Sequence, residues 1–241
     1  MIRFACGLAV CAAFALPVCA QNETDSLDTI VVTGTRIGYQ ELKKTPAVSL
    51  TKPGDFLVQN ITLYNDSRDE SARRKELHET IAKMLAASGG RYAVLHNGAY
   101  RLLLDRSNYQ VEPEEDEDRD DSNLIRLQVR TDLGGDPGRA SEVIAGMRRY
   151  IGGVAKVGRT EIELDGDSGL AMSRPERYRY EIIQAIAEDA RKLVDAMGMP
   201  CKVRLEGLNQ RIEWQRASAA ELLLYIPYSM DVSDCQKASA Q

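Results

Sequence analysis

The sequence predicts an α+β fold, with a mixed, largely antiparallel sheet and two or three packed helices. Three observations carry this. Long stretches with apolar residues at helical spacing are separated by short β-rich runs. Several of those runs come in pairs around Gly and Asn, as hairpins do. Two of the long helices are each followed by glycine and then a hairpin pattern, which suggests a duplicated strand-helix-strand-strand unit. The composition, 44% hydrophobic and 28% charged, is that of a globular chain.

Residues 1–20, "MIRFACGLAVCAAFALPVCA", place one early cation, Arg3, before an apolar run and a small-residue exit at Ala20. This is the pattern of a cleavable secretory signal peptide. Gly7 and Pro17 interrupt the run, which falls short of the roughly 20 apolar residues that span a bilayer. No later segment is apolar enough to span. Three of the five cysteines lie in this stretch, leaving Cys201 and Cys235. In an exported chain such a pair suggests one disulfide.

Residues 21–54 are polar with scattered Gly and Pro and read as an extended arm holding one β-rich island, "DTIVVTGTRI". The α+β domain is expected over 55–232, with 233–241 as a tail. "FLVQNITLYN" reads as a half-buried strand. Asp66 or Ser67 would cap a first helix with Leu77, Ile81, Met84 and Leu85 on its buried face, stopped by Gly89-Gly90. "RYAVLHNGAYRLLLDR" reads as two strands around Asn97-Gly98, a pair that supplies the positive φ angles of a tight turn. "EPEEDEDRDD", Glu112 to Asp121, carries eight carboxylates and one Arg, and its self-repulsion predicts a solvated loop. "LIRLQVRTDL" resumes as a strand.

A second helix fits "DPGRASEVIAGMRRYIGGV", with Val143, Ile144, Met147 and Ile151 inward. "RTEIELDG" reads as a short strand, followed by a loop in which Ser173 would cap the third helix. That helix has Pro175 near its first turn and Gly198 at its stop, with Ile182, Ile183, Ile186, Ala190, Leu193, Val194 and Met197 on one side. "CKVRLEGLNQRIEWQR" reads as a hairpin around Gly207-Leu208-Asn209, and "AELLLYIPYSMDV" as the closing strand. Tyr225 and Tyr228 belong to the core or to an oligomer seam.

The third helix, "YEIIQAIAEDARKLVDAMG", resembles the signature helix of SIMPL-domain proteins, with Ala187, Ala190 and Ala196 ahead of a terminating Gly. "RLQVRTDL" and "LLLYIPYSMDV" resemble that family's mid-domain and closing strands. The resemblance covers roughly 55–232, through degenerate patterns rather than invariant chemistry. It implies an exported or envelope-associated bacterial protein without an agreed enzymatic reaction, acting by assembly or protein interaction, with self-association expected. The acidic insertion and the N-terminal arm depart from the family pattern.

The island resembles the TonB box of TonB-dependent receptors, with Asp28, Ile30, Val31, Val32, Thr33, Gly34 and Arg36 in the matching places. That resemblance implies an N-terminal strand captured by the TonB periplasmic domain through addition to a sheet edge. The receptor's own barrel is absent, since it needs many alternating strands. The same residues also suit a first strand of the domain, and both uses stay open.

Other functions find little support. A formal charge of -5 and only three Phe and one Trp argue against nucleic-acid binding. His78 and His96 stand alone in different elements and make no zinc signature. "DGDSGLAMSRPE" has acids at three calcium-loop positions, but Gly and Leu170 stand where a ligand and the essential Gly belong. No Gly-x-Ser-x-Gly elbow or phosphate loop occurs. No catalytic residue, cofactor or metal is therefore expected, and a hydrolase with an unidentified site ranks last.

Overall fold

A computed structural model of the chain describes residues 29–32 and 45–236. The expected signal peptide, most of the arm and the last residues of the tail lie outside the described residues. The fold is α+β with antiparallel pairing in every sheet.

The main sheet is seven-stranded. It is built from β1 (Thr29–Val32), β3 (Phe56–Asn65), β4 (Tyr92–Asn97), β5 (Arg101–Leu103), β6 (Glu114–Glu115), β7 (Asn123–Asp132) and β8 (Glu161–Ser173). Its order is β1-β8-β3-β7-β4-β5, with β6 also on β7. Helix α1 (Glu70–Ala87) joins β3 to β4, and α2 (Ala140–Gly152) joins β7 to β8. The four strands β8-β3-β7-β4 thus take the fourth-first-third-second order of a doubled split β-α-β unit. The repetition relates α1 to α2, not the first helix to the third as the glycine-hairpin pattern suggested.

Helix α1 packs on β3, β7 and β4, and α2 on β3, β7 and β8. Leu57, Ile61 and Leu63 of β3 meet Leu77, Ile81, Met84, Met147 and Ile151 in one core cluster. β3 is buried on both faces, because it is a central strand rather than the half-buried one expected. Phe56 and Tyr64 point to the other face, where the guanidinium groups of Arg130 and Arg119 lie 4.5 and 4.2 Å from their ring centres. Long Arg side chains can cover apolar surface in this way while keeping their charge wet.

A second layer holds β2 (Leu50–Pro53), β10 (Glu213–Arg216) and β11 (Glu221–Tyr225) in the order β10-β11-β2, and a separate ribbon of β9 (Lys202–Glu206) with β12 (Ser229–Ser233). Helix α3 (Arg179–Met197) contributes Ile182 and Ile186 to a core shared with Leu222, Leu224 and Ile226.

Several local expectations are corrected. The cap of α1 is Asp69, whose carboxylate accepts from the Ala72 amide, because β3 runs on to Asn65 and a short bend separates it from the helix. Gly98 does not have a positive φ. Its role is steric: a Cβ there would lie 2.7 Å from the His96 ring. Strand β8 continues to Ser173, so Ser173 caps nothing, and a 3-10 turn, Pro175–Tyr178, precedes α3. The apolar stretch Leu170 to Met172 is held by neighbours on both sides, which favours a strand over a loop. The hairpin expected around Gly207 is absent; β9 pairs β12 and β10 pairs β11. A Cβ at Gly207 would sit 2.5 Å from the Pro227 carbonyl, where the chain crosses from one sheet to the other. Pro227 also splits the expected closing strand into β11 and β12. Tyr225 is buried and Tyr228 half-buried at that crossing. Leu193 and Met197, expected on the buried side of the third helix, are 39% and 43% exposed, because the buried stripe of that helix, Ile182, Ile186 and Ala190, ends before its last turns.

Candidate interaction site

Strand β1 lies at one end of the main sheet. Thr29, Ile30, Val31 and Val32 are Cα partners of Ser173, Met172, Ala171 and Leu170. Val32 packs against the core. The strand thus uses one side of its main chain to close the β8 edge, which is the domain-strand use among the two its sequence left open. Among the described residues no strand pairs its other side. Asp28, Thr33, Gly34 and Arg36 lie outside the described residues.

Strand β8 changes character along its length. Against β3, the register shifts between Val58 and Asn60, so that Gly166, Asp167 and Ser168 form a bulge opposite Gln59. Before the bulge Glu161, Glu163 and Asp165 are exposed, as is Asp167 within it. Among the described residues no strand pairs this part of the β8 edge, and charge along such an edge discourages pairing with another chain. After it, Leu170, Ala171 and Met172 are buried and offer an apolar strand to β1. The corner at Gly54-Asp55 fixes this end: Asp55 accepts from the Ser173 amide at 2.8 Å and from Arg177 at 2.8 Å, and its own amide donates to the Ala171 carbonyl.

A polar chain ties the two layers behind the bulge. Gln59 is fully buried, and its amide donates to the Gly166 carbonyl while its Oε1 accepts from the Ser168 hydroxyl at 2.8 Å. Arg216, only 7% exposed, donates to the carbonyls of Ser168, Ser218 and Ala219. Burial lowers the pKa of this guanidinium, while Asp167 opposes that shift. Its position points to a rivet between β8 and the β10–β11 turn. No sequence signal marked Gln59 or Arg216, because neither belongs to a local motif.

Cys201 and Cys235 form the expected disulfide, with an S–S distance of 2.05 Å, and staple one end of the β9–β12 ribbon. A disulfide is compatible with an oxidising environment. No described helix is long and apolar enough to cross a membrane.

His78 and His96 remain apart. His78 Nε2 lies 2.7 Å from the Val111 carbonyl and its ring meets Tyr109 edge-on, so it is held by the loop over α1 rather than free on the solvent side. Burial lowers the His96 pKa, against the opposing charge of Glu114. Among the described residues no group of three His, Cys, Asp or Glu is placed to hold a metal. No family model, curated protein or solved structure matches the chain.

Proposed function

We propose that this chain is an exported, SIMPL-like envelope protein of the periplasm or outer-membrane face that acts through protein contact rather than catalysis. The observation that carries the reading is β1: an uncharged, β-branched strand at the end of a sheet whose neighbouring edge is lined with carboxylates. A strand in that position can accept another strand by main-chain hydrogen bonds. The disulfide supports the exported setting. A thiol count on protein recovered from the envelope fraction tests that setting; two free thiols would overturn it.

A second reading is favoured by the same strand. With Asp28, Ile30, Val31, Val32, Thr33, Gly34 and Arg36 as the docking segment, the protein would be a TonB-linked accessory, and its outer edge could join TonB without leaving β8. The test is binding to a purified TonB periplasmic domain by the intact chain, by a chain lacking residues 28–37, and by Val31→Pro. Binding lost in both variants supports this reading. Absence of binding by the intact chain removes it and leaves β1 as a contact strand for other partners or for a second copy.

A further inference from the structure

The other end of the main sheet differs sharply in chemistry. The β4–β5 hairpin ends in Tyr100, 87% exposed, followed by Leu102 and Leu103, 38% and 41% exposed. Tyr100 in the turn and the two leucines of β5, which as strand neighbours face opposite sides of the sheet, leave water in contact with apolar surface that a monomer gains nothing by displaying. Beside them runs the acidic segment. His96 of β4 is opposite Leu127, and Glu114 of β6 is opposite Leu124, so hairpin and acidic segment share one edge of β7 three residues apart.

The acidic segment is not the wholly solvated loop that its composition predicts. Glu112 pairs with Arg74 at 2.5 Å, Glu114 pairs with Arg126, and Arg119 reaches Glu163 at 2.9 Å. These contacts pin its flanks and leave Glu115, Glu117, Asp118, Asp120 and Asp121 exposed, with no ion pair among the described residues. At its centre is Asp116. Its side chain is 5% exposed, and one oxygen accepts from the Asp118 amide. The other, Oδ2, is buried without a hydrogen-bond partner, the nearest cation being Arg119 Nε at 3.8 Å. A buried carboxylate oxygen left unsatisfied costs more than most single contacts return.

We propose that the β4–β5 hairpin tip and the acidic segment Glu115–Asp121 together form a docking surface for a basic, amphipathic polypeptide segment of a partner protein. Charge complementarity selects the occupant, because a run of unpaired carboxylates attracts Lys and Arg. The apolar tip distinguishes an amphipathic segment from a plain polycation, by giving Tyr100 and Leu103 something to bury against; Tyr is among the residues that anchor interfaces. The hairpin lies at the opposite end of the sheet from β1, and none of the residues substituted to test the surface belongs to β1 or to the stretch of β8 it pairs with, so its success or failure is separate from that of the β1 reading.

The test uses two probes on the full chain, an amphipathic Lys/Leu peptide and a decamer of lysine, with affinity measured by titration calorimetry at two salt concentrations. The amphipathic peptide should bind about tenfold more tightly than oligolysine, and both should weaken as salt rises. Tyr100→Ser/Leu103→Ser should bring the amphipathic peptide down to the oligolysine level. Neutralising Glu117, Asp118, Asp120 and Asp121 to their amides should abolish binding of both. A control neutralises the same number of carboxylates elsewhere, Glu142, Glu188, Asp189 and Asp195, and should bind like the parent. Equal loss in the control would reduce the effect to bulk charge and overturn the proposal, as would unchanged binding in the hairpin variant or no binding by the parent. All substituted side chains are exposed, and a thermal melt on each variant confirms that the fold is intact.

Discussion

Gly158→Ala should be among the most damaging single-methyl additions in this protein, and the reason can be worked out atom by atom. Gly158 has φ +55°, a left-handed conformation that costs an L-residue roughly 1–2 kcal/mol. Its Cβ would also overlap the carboxyl group of Glu76. That carboxylate is the far end of a side chain and could swing away, but it is pinned. Its Oε2 accepts from Asn65 Nδ2 at 2.7 Å, from the Ser67 hydroxyl at 2.8 Å and from the Arg159 amide at 3.0 Å. These bonds join the end of β3, helix α1 and the loop before β8. Displacing the carboxylate should add about 2–3 kcal/mol, taking a net value near 1 kcal/mol for each bond.

The total, about 3–5 kcal/mol, corresponds to a fall of roughly 10 °C in Tm for a chain of this size. Gly90→Ala is the control: its φ is +72° and nothing lies within 4 Å of its Cβ, so it should pay only for conformation, about 1–2 kcal/mol. Thermal or urea unfolding of both variants decides the matter. Equal losses would refute the argument that the Glu76 clasp is what Gly158 protects. In the double variant Gly158→Ala/Glu76→Ala the loss should be smaller than the sum of the singles, since the overlap is gone.

Three further outcomes follow from the same structure. Tyr150, whose hydroxyl donates to the Met84 carbonyl at 2.7 Å, has its pKa pushed up to about 12, by burial first and then by Tyr92. A folded-state pKa raised above the unfolded value means stability that is complete below pH 10 and lost as pH rises toward 12; burial also raises the pKa values of Tyr225 and Tyr228, and ultraviolet titration of Tyr150→Phe should lose one of the late-titrating tyrosines. Arg216→Ala should cost about 3–5 kcal/mol in urea unfolding, because it strips donors from three carbonyls at once, and a near-neutral result would show that the two layers do not depend on the rivet. Opening Cys201–Cys235, which closes a separation of 34 residues, should cost at most about 4 kcal/mol by loop entropy, with hydrogen exchange rising first in β9 and β12 and not in β3 or β7.

The elements best read from the sequence were those with local signals. The buried face of α1, the glycines after it, the left-handed Gly198 that ends α3 and the cysteine pair all depend on residues close in the chain or on a count. What the sequence concealed was pairing between distant segments. β2 looked like arm because its partner, β11, lies far along the chain. Leu170 to Met172 looked like loop because only β1 and β3 together make it a strand. The same holds at the sites. The island at Thr29–Val32 was recognisable, but its place on β8 was one of two open uses. Asp116 was one acid among eight until its burial set it apart.

The wiring of β1 and β2 has a consequence for the order in which the molecule can be made. Both strands emerge early in synthesis, yet their partners, β8 and β11, are among the later segments. The split β-α-β unit can assemble without them. Each strand must therefore wait unpaired while more than a hundred residues follow, β1 until β8 is made and β2 until β11 is made, so their docking comes late and in two separate steps. A nascent chain halted between β8 and β11 would hold a finished main sheet with β1 already on its β8 edge, while β2 waited loose for the carboxyl-terminal layer to draw it into place.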